Sequence, residues 1–207
     1  MIDEGYTKYA CDWRRGPPLP DKIIAEVNAC RNQLFDAGLV GYYEQHGVGF
    51  GNLSIRGSGG GFIISGTQTG HVERTDARHW SLVTDYDIDK NRITCEGPVQ
   101  ASSEALTHAA IYELDPDIQA IAHVHSGPLW HQLLDRLPTT ASDVPYGTPE
   151  MAREFHRLYQ ETDLANSGVA VMAGHEEGLV AIGGDIRGAT ERVLSLQAHA
   201  PQEAGNR

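Results

Sequence analysis

The spacing of apolar residues changes between a helical and a strand-like period along this chain. Between residues 21 and 37 they recur every three or four positions, which predicts a helix that ends at Gly38. These positions are Ile23, Ile24, Val27, Cys30 and Leu34. Further helices are predicted over 103–114, 128–137, 148–162 and 186–198.

Short apolar runs between turn residues predict the strands. They cover residues 52–56, 62–65, 81–86, 92–95, 118–126, 168–173 and 178–182. Short strands in hairpins, with helices between them, favour an α/β fold: a single domain with a mainly antiparallel central β-sheet flanked by helices. We expect this domain over 21–200, an extended N-terminal arm over 1–20 and a flexible tail over 201–207.

Composition and charge narrow the classes of protein to consider. Of 207 residues, 40% are hydrophobic and 21% are charged, which suits one globular domain with a real core. A net charge of −12, with no cluster of Lys or Arg, argues against nucleic acid and membranes as partners. The three cysteines are widely spaced and predict no disulfide framework, and no segment could span a bilayer. We therefore expect a cytoplasmic protein.

Two histidines, His123 and His125, close the apolar run over 118–126. Side chains two positions apart on a strand point to the same face, so the two imidazoles would lie side by side. This arrangement suits a first-row metal ion. The alternative is a pair of partly exposed histidines that hydrogen-bond to a loop.

Candidates for a third ligand and for an acid–base group lie elsewhere in the chain. His175 follows an apolar strand and has glycines nearby, so its ring could reach the end of a neighbouring strand. Glu104 lies in the first turn of a helix, where it could stabilise the helix dipole or serve as the acid–base group. Ser102 and Ser103 place hydroxyls beside free backbone N–H groups, a site for phosphate or carboxylate.

Other histidines compete with His175 as ligands. They are His46, His71, His79, His108, His131, His156 and His199. Of these, His108 would share a helix face with Glu104, which makes a Glu/His metal pair geometrically possible.

Five short motifs follow one another along nearly the whole chain. They are Gly51-Asn-Leu-Ser54, Ser65-Gly-Thr-Gln-Thr-Gly70, Ser102-Ser-Glu104, Asp115-Pro-Asp with His123-Val-His125, and Gly174-His175. In this order and spacing the sequence resembles the class II aldolase/adducin family. The resemblance implies a three-layer α/β/α fold and a ring-like homotetramer with active sites between subunits.

The resemblance also implies roles for individual residues. His123, His125 and His175 would bind a divalent metal, usually Zn²⁺, with Mn²⁺, Co²⁺ or Fe²⁺ as alternatives. Glu104 would be the acid–base carboxylate, and we expect a dry pocket to raise its pKa. The positions that hold a substrate's phosphate match Gly51, Asn52, Thr69, Gly70, Ser102 and Ser103.

The function implied is that of a metal-dependent lyase. It would be an aldolase that cleaves or forms a carbon–carbon bond in a small hydroxy-carbonyl or sugar-phosphate-like substrate, through a metal-stabilised enediolate. Epimerisation, dehydration and decarboxylation at the same metal site are alternatives. A non-catalytic interaction domain like that of adducin is a further alternative, although it would have no chemical need of the histidines and the glutamate.

The chain departs from the family's pattern in three places. The loop over Ser65–Gly70 is longer than the family's usual form. The segment over 127–146 is short and lacks the stretch that brings a catalytic tyrosine from a neighbouring subunit in the sugar-phosphate aldolases. Tyr146 is interpreted as a turn residue within Val-Pro-Tyr-Gly. His175 is followed by Glu176 and Glu177, which are interpreted as a solvated turn.

Overall fold

The computed structural model of the chain describes residues 7–199. The first six residues of the predicted arm and the predicted tail over 201–207 lie outside these described residues. The strands are β1 Ala10–Arg15, β2 Gly41–Tyr43, β3 Val48–Phe50, β4 Asn52–Arg56, β5 Phe62–Ser65, β6 Trp80–Asp87, β7 Arg92–Gly97, β8 Ala120–His125, β9 Val169–Val171 and β10 Gly178–Gly183. The helices are α1 Asp21–Asp36, α2 Ala105–Leu114, α3 Gly127–Leu133, α4 Pro149–Glu161, α5 Leu164–Ser167 and α6 Ile186–His199.

Eight of these strands form one sheet, in the order β1-β7-β6-β5-β4-β8-β10-β9. Within it, β1 and β7 pair in parallel and the other neighbours are antiparallel. Strands β2 and β3 pair with each other in a separate hairpin. The predicted α/β fold with a mainly antiparallel central sheet is therefore confirmed.

Helices cover both faces of the sheet and bury two apolar clusters. The first cluster joins α1 and α6 to one face, through residues that include Val27, Leu34, Leu53, Val124 and Val193. The second joins α2 and α4 to the opposite face, through residues that include Ile64, Leu106, Ile121, Phe155 and Val180. This is the expected three-layer α/β/α arrangement.

Strand β8 lies in the interior of the sheet, between β4 and β10. Its side chains alternate between the faces, because Ala122 and Val124 pack in the α1/α6 cluster while Ile121 packs in the α2/α4 cluster. His123 and His125 lie on the same face of the strand as Ile121, so their side chains point toward α2. All six residues of β8 are buried. The fold thus places both histidines in a dry site.

Some regular segments differ from the sequence-based expectation. Strand β1 lies within the predicted arm, where it carries Arg14 and Arg15 and pairs with β7 at the sheet edge. Strands β2 and β3 contain three residues each, too few for a periodic pattern. Helix α3 ends at Leu133 rather than at 137. The three cysteines are free thiols, and no helix within residues 7–199 is long and apolar enough to cross a membrane.

Candidate metal centre

Strand β8 ends in two buried histidines that lie side by side on one face of the sheet. In the sheet register, His123 lies opposite Asn52 of β4, and His125 lies opposite Gly178 of β10. Their Nε2 atoms are 3.1 Å apart. The exposed fractions are 0% for His123 and 3% for His125, so neither is the partly exposed polar residue of the alternative interpretation.

The third histidine comes from the turn between β9 and β10. The backbone N–H of His175 donates to the Met172 carbonyl, and the N–H of Gly178 donates to the His175 carbonyl, which closes a tight turn. A side chain at Gly178 would meet the His175 carbonyl oxygen at 2.9 Å and Cε1 of His123 at 3.3 Å. Glycine is therefore needed for this close approach. The His175 ring centroid lies 5.1 Å from that of His123 and 4.8 Å from that of His125.

The three histidines fit the requirements of a divalent metal ion. Each offers one nitrogen, and these atoms lie within 4.8 Å of one another. Nδ1 of His123 is 3.0 Å from the Leu179 carbonyl oxygen; it donates there, so Nε2 keeps its lone pair. Two nitrogens bound tetrahedrally to zinc at about 2.0–2.1 Å stand about 3.3 Å apart, which is close to the distance between Nε2 of His123 and Nε2 of His125.

Burial favours the ligand form of His125 as well. Desolvation, followed by the charges of His175 and His123, lowers the pKa of His125 well below its usual value. A neutral imidazole is the form that binds metals. The site is thus a buried group of three histidines that could bind a metal ion.

Glu104, at the start of α2, is the carboxylate that faces this cluster. It is 3% exposed, and its Oε1 lies 2.8 Å from Nε2 of His123 and 3.5 Å from Nδ1 of His175. Its Oε2 is buried and has no hydrogen-bond partner among residues 7–199. Because a buried carboxylate oxygen is costly to leave without a partner, Oε2 is the atom available to a bound molecule.

The pKa of Glu104 is set by two opposing effects. Burial is the largest and raises it. Without a bound metal, the positive charges of His123 and His175 and a hydrogen bond from Nε2 of a charged His123 outweigh burial and lower it to about 2. The expectation of a raised pKa is therefore wrong for this arrangement. The carboxylate is ionised at neutral pH and can accept a proton.

His108 lies one turn beyond Glu104 but outside the three-histidine cluster. Its Nδ1 is 2.7 Å from Oγ of Ser54, which is also 2.8 Å from the hydroxyl of Tyr112. The remaining histidines also lie outside the cluster and range from half-buried to exposed: His46, His71, His79, His131, His156 and His199.

A polar pocket adjoins Glu104 and gathers all six residues that the resemblance implies for phosphate binding. They are Gly51, Asn52, Thr69, Gly70, Ser102 and Ser103. Asn52 is buried, and its Oδ1 has no hydrogen-bond partner in the described part of the chain. Oγ of Ser102 accepts a hydrogen bond from the Glu104 N–H, which leaves its own hydroxyl hydrogen to donate.

The loop over residues 66–73, which we call the pocket loop because 66–70 line the pocket, is hydrogen-bonded by Arg31. Arg31 was not predicted as a site residue. Arg31 is 1% exposed and donates to the carbonyl oxygens of Thr69, Gly70 and Glu73 at 3.1–3.2 Å. Burial lowers its pKa to about 10, so it stays charged at neutral pH. A sequence signal existed, because Arg31 occupies a core-facing position of α1 between Val27 and Leu34.

Two tyrosines next to the histidines were also not predicted. Tyr146 lies in a turn, as expected, but it is 2% exposed and stacks on the His175 ring with centroids 4.5 Å apart. The Tyr43 hydroxyl lies 3.2 Å from Nδ1 of His125 and donates to Glu177. Glu176 is exposed as expected, whereas the half-buried Glu177 departs from the solvated turn that the sequence suggests.

Comparison with known proteins identifies solved structures that share the overall fold. Solved structures with a similar fold include YgbL of Klebsiella pneumoniae, with 21% identity, a TM-score of 0.63 and 87% of each chain covered. A sugar-phosphate aldolase of Thermotoga maritima has 19% identity and a TM-score of 0.64, covering 86% of this chain and 91% of its own. An L-fuculose 1-phosphate aldolase has 17% identity and a TM-score of 0.63, covering 87% and 85% respectively.

At these identities the structural likeness shows a shared fold. A search among curated proteins finds no match. The sequence profile described as "Class II Aldolase and Adducin N-terminal domain" matches residues 27–202, which is most of the chain. By this match, and with the fold and the motif order in agreement, the chain belongs to the class II aldolase and adducin N-terminal domain family.

Proposed function

We propose that this protein is a metal-dependent lyase of the class II aldolase type, which cleaves or forms a carbon–carbon bond in a small hydroxy-carbonyl compound. One observation carries the proposal. A buried, ionised carboxylate, Glu104, lies 2.8 Å from Nε2 of His123 at the point where the histidine cluster meets the polar pocket. An interaction domain would gain nothing from burying these groups together, because their desolvation costs stability.

His123, His125 and His175 would hold the ion, with zinc the first candidate and Mn²⁺, Co²⁺ or Fe²⁺ as alternatives. Three protein nitrogens leave a coordination position open for substrate. A divalent ion held there would supply a Lewis acid, which polarises a carbonyl group and stabilises negative charge on its oxygen. The protein's own part is to hold three neutral imidazoles in a dry, fixed arrangement.

Glu104 would take up and return the proton during bond cleavage or formation. A divalent cation held by the neighbouring histidines would favour the ionised carboxylate, which is the form that accepts a proton. Oε2 of Glu104 has no hydrogen-bond partner among the described residues, so this oxygen can approach a hydroxyl or carbon acid of the substrate. Burial excludes the water that would compete for that proton.

The polar pocket would bind the other end of the substrate. Asn52, Ser102 and Thr69 supply side-chain hydrogen-bonding groups, and Gly70 lets the backbone approach closely. None of the described residues that line the pocket is Arg or Lys. Binding of a phosphate or carboxylate would therefore rest on hydroxyls, amides and backbone N–H groups, including those at the start of α2.

The substitution Glu104→Gln tests the catalytic role. Glutamine keeps the size of the side chain but cannot accept the proton, so we expect turnover to fall about 100-fold or more with bound metal retained. The measurement is retro-aldol cleavage by the metal-loaded protein across a panel of hydroxy-carbonyl compounds, with and without a phosphate. Glu113→Gln, at an exposed position of the same helix, is the matched control and should keep wild-type turnover.

Two outcomes would contradict the proposal. Full activity of the Glu104→Gln variant would remove Glu104 from the mechanism. A metal-loaded protein that epimerises, dehydrates or decarboxylates members of the panel without cleaving them would keep the site but replace the lyase reaction.

A further inference from the structure

The hairpin formed by β2 and β3 packs against the outer side of the metal centre. The Phe50 ring lies 5.5 Å from the His125 ring, centroid to centroid, and 4.4 Å from that of Tyr43. The Tyr43 hydroxyl reaches Nδ1 of His125 at 3.2 Å. The hairpin therefore brings one polar atom to His125, at the ring nitrogen remote from the cluster.

Hydrogen-bond counting sets the direction of each contact. A phenol has one hydrogen to donate, and that of Tyr43 goes to Oε2 of Glu177. Nδ1 of His125 must then be the donor to the Tyr43 oxygen. With its proton on Nδ1, His125 keeps a lone pair on Nε2, the atom 3.1 Å from Nε2 of His123.

Glu177 is itself fixed by the turn that presents His175. Its φ of 66° lies in the left-handed region, and its carbonyl accepts a hydrogen bond from the N–H of Ser126, the residue after His125. Its Oε1 would meet a side chain added at Gly127 at 3.0 Å. The carboxylate is thus held between the end of β8 and the hairpin.

We propose that Tyr43 and Glu177 are positioning residues that fix the tautomer and ring orientation of His125 as a metal ligand. The Tyr43 hydroxyl contacts Nδ1, on the opposite side of the ring from Nε2, so it acts through His125 and not on the substrate. Hydrogen-bond partners of this kind orient a ligating histidine and raise its basicity. The inference rests on the proposed metal site.

Tyr43→Phe removes the hydroxyl and keeps the ring that packs on Phe50. We expect the metal dissociation constant, measured by competition with a chromophoric chelator, to rise about 10- to 100-fold. The visible absorption of the Co²⁺-loaded variant should also change, because the geometry around the ion is altered. Tyr42→Phe is the matched control: Tyr42 is the preceding residue of the same strand, is exposed, and should leave both measurements unchanged.

Glu177→Gln provides an independent variant should Tyr43→Phe fold poorly. We expect it to weaken metal binding less than Tyr43→Phe, because an amide oxygen still accepts the tyrosine's hydrogen. The exposed Glu176→Gln is its matched control. Since Glu177 acts through Tyr43, the double variant should bind metal no more weakly than Tyr43→Phe alone.

The outcomes separate this inference from the proposed function. If the wild-type protein binds no divalent metal, the proposed metal site itself fails. If the wild type binds metal and Tyr43→Phe matches Tyr42→Phe within twofold, the positioning role is wrong. A double variant whose loss equals the product of the single losses would also overturn it, because the two residues would then act independently.

Discussion

Glu104 and His108, one turn apart at the start of α2, show how burial and neighbouring charges compete at single residues. Burial disfavours the charged form of each, so it raises the pKa of the acid and lowers that of the base. Around Glu104 the histidines prevail and the carboxylate is ionised. For His108, burial prevails over the attraction of Glu104 and lowers the pKa to about 3. The helix thus presents a charged group to the site and a neutral one behind it.

The neutral state of His108 predicts a pH dependence of stability. An unfolded histidine titrates near 6.5, so between about pH 6.5 and 3 the unfolded chain binds one more proton than the folded chain at this residue. This contribution to stability is present above pH 6.5 and is lost as the pH falls through that window, at about 1.4 kcal/mol per pH unit. His108→Gln should remove it.

Urea unfolding of the metal-free proteins between pH 6 and pH 4 measures this effect. As the pH falls, the free energy of unfolding should decrease less steeply for His108→Gln than for the wild type. The difference between the two slopes should correspond to about one bound proton. His131→Gln, at an exposed position, is the control and should retain the wild-type slope. Equal slopes for His108→Gln and the wild type would show that His108 is not held neutral.

At the scale of elements, the site depends on contacts between segments that are distant in sequence. Arg31 on α1 is the clearest case, because its guanidinium holds the carbonyls of Thr69, Gly70 and Glu73 in the pocket loop. At Gly70 the loop has no room for a side chain, because a Cβ there would lie 2.1 Å from the Gly41 carbonyl oxygen. One helix therefore sets the shape of a pocket made mostly by other elements.

Arg31→Met tests this coupling. The three carbonyls would lose their donor, so we expect the free energy of unfolding to fall by about 1–3 kcal/mol and the KM for an anionic substrate to rise. Arg74→Met removes an exposed ion pair with Asp36 and should cost under about 0.5 kcal/mol, with KM unchanged. Similar effects of the two variants on stability and KM would contradict the role given to Arg31.

The elements with a clear local pattern could be predicted from the sequence, and the others could not. Strand β8 has a continuous apolar run that ends in two histidines, and α1 has regular helical spacing, so both lie close to the predicted ranges. Strand β1 is held by its pairing with β7, a contact that leaves little local pattern. The hairpin of β2 and β3 is defined by its packing over His125. Such tertiary contacts cannot be read from spacing.

At the scale of the whole molecule, the centre sits where several elements of the three-layer fold meet. Strand β8 supplies two histidines, the turn before β10 supplies His175, and the start of α2 supplies Glu104. The order of motifs allowed these residues to be predicted as a group. The contacts of these residues with Tyr43, Glu177 and Tyr146 were not predicted. Glu177 and Tyr146 were interpreted only as turn residues, and nothing in the sequence links Tyr43 to His125.

The central claim is that three histidines bind one divalent ion, and the metal content of the purified protein tests it most directly. After loading with zinc and removal of excess, elemental analysis should find about one zinc per chain in the wild type and in His131→Ala, which changes an exposed histidine. His123→Ala should lose most of this zinc, because two ligands bind far more weakly than three. Zinc content in His123→Ala equal to that of the wild type would contradict the account.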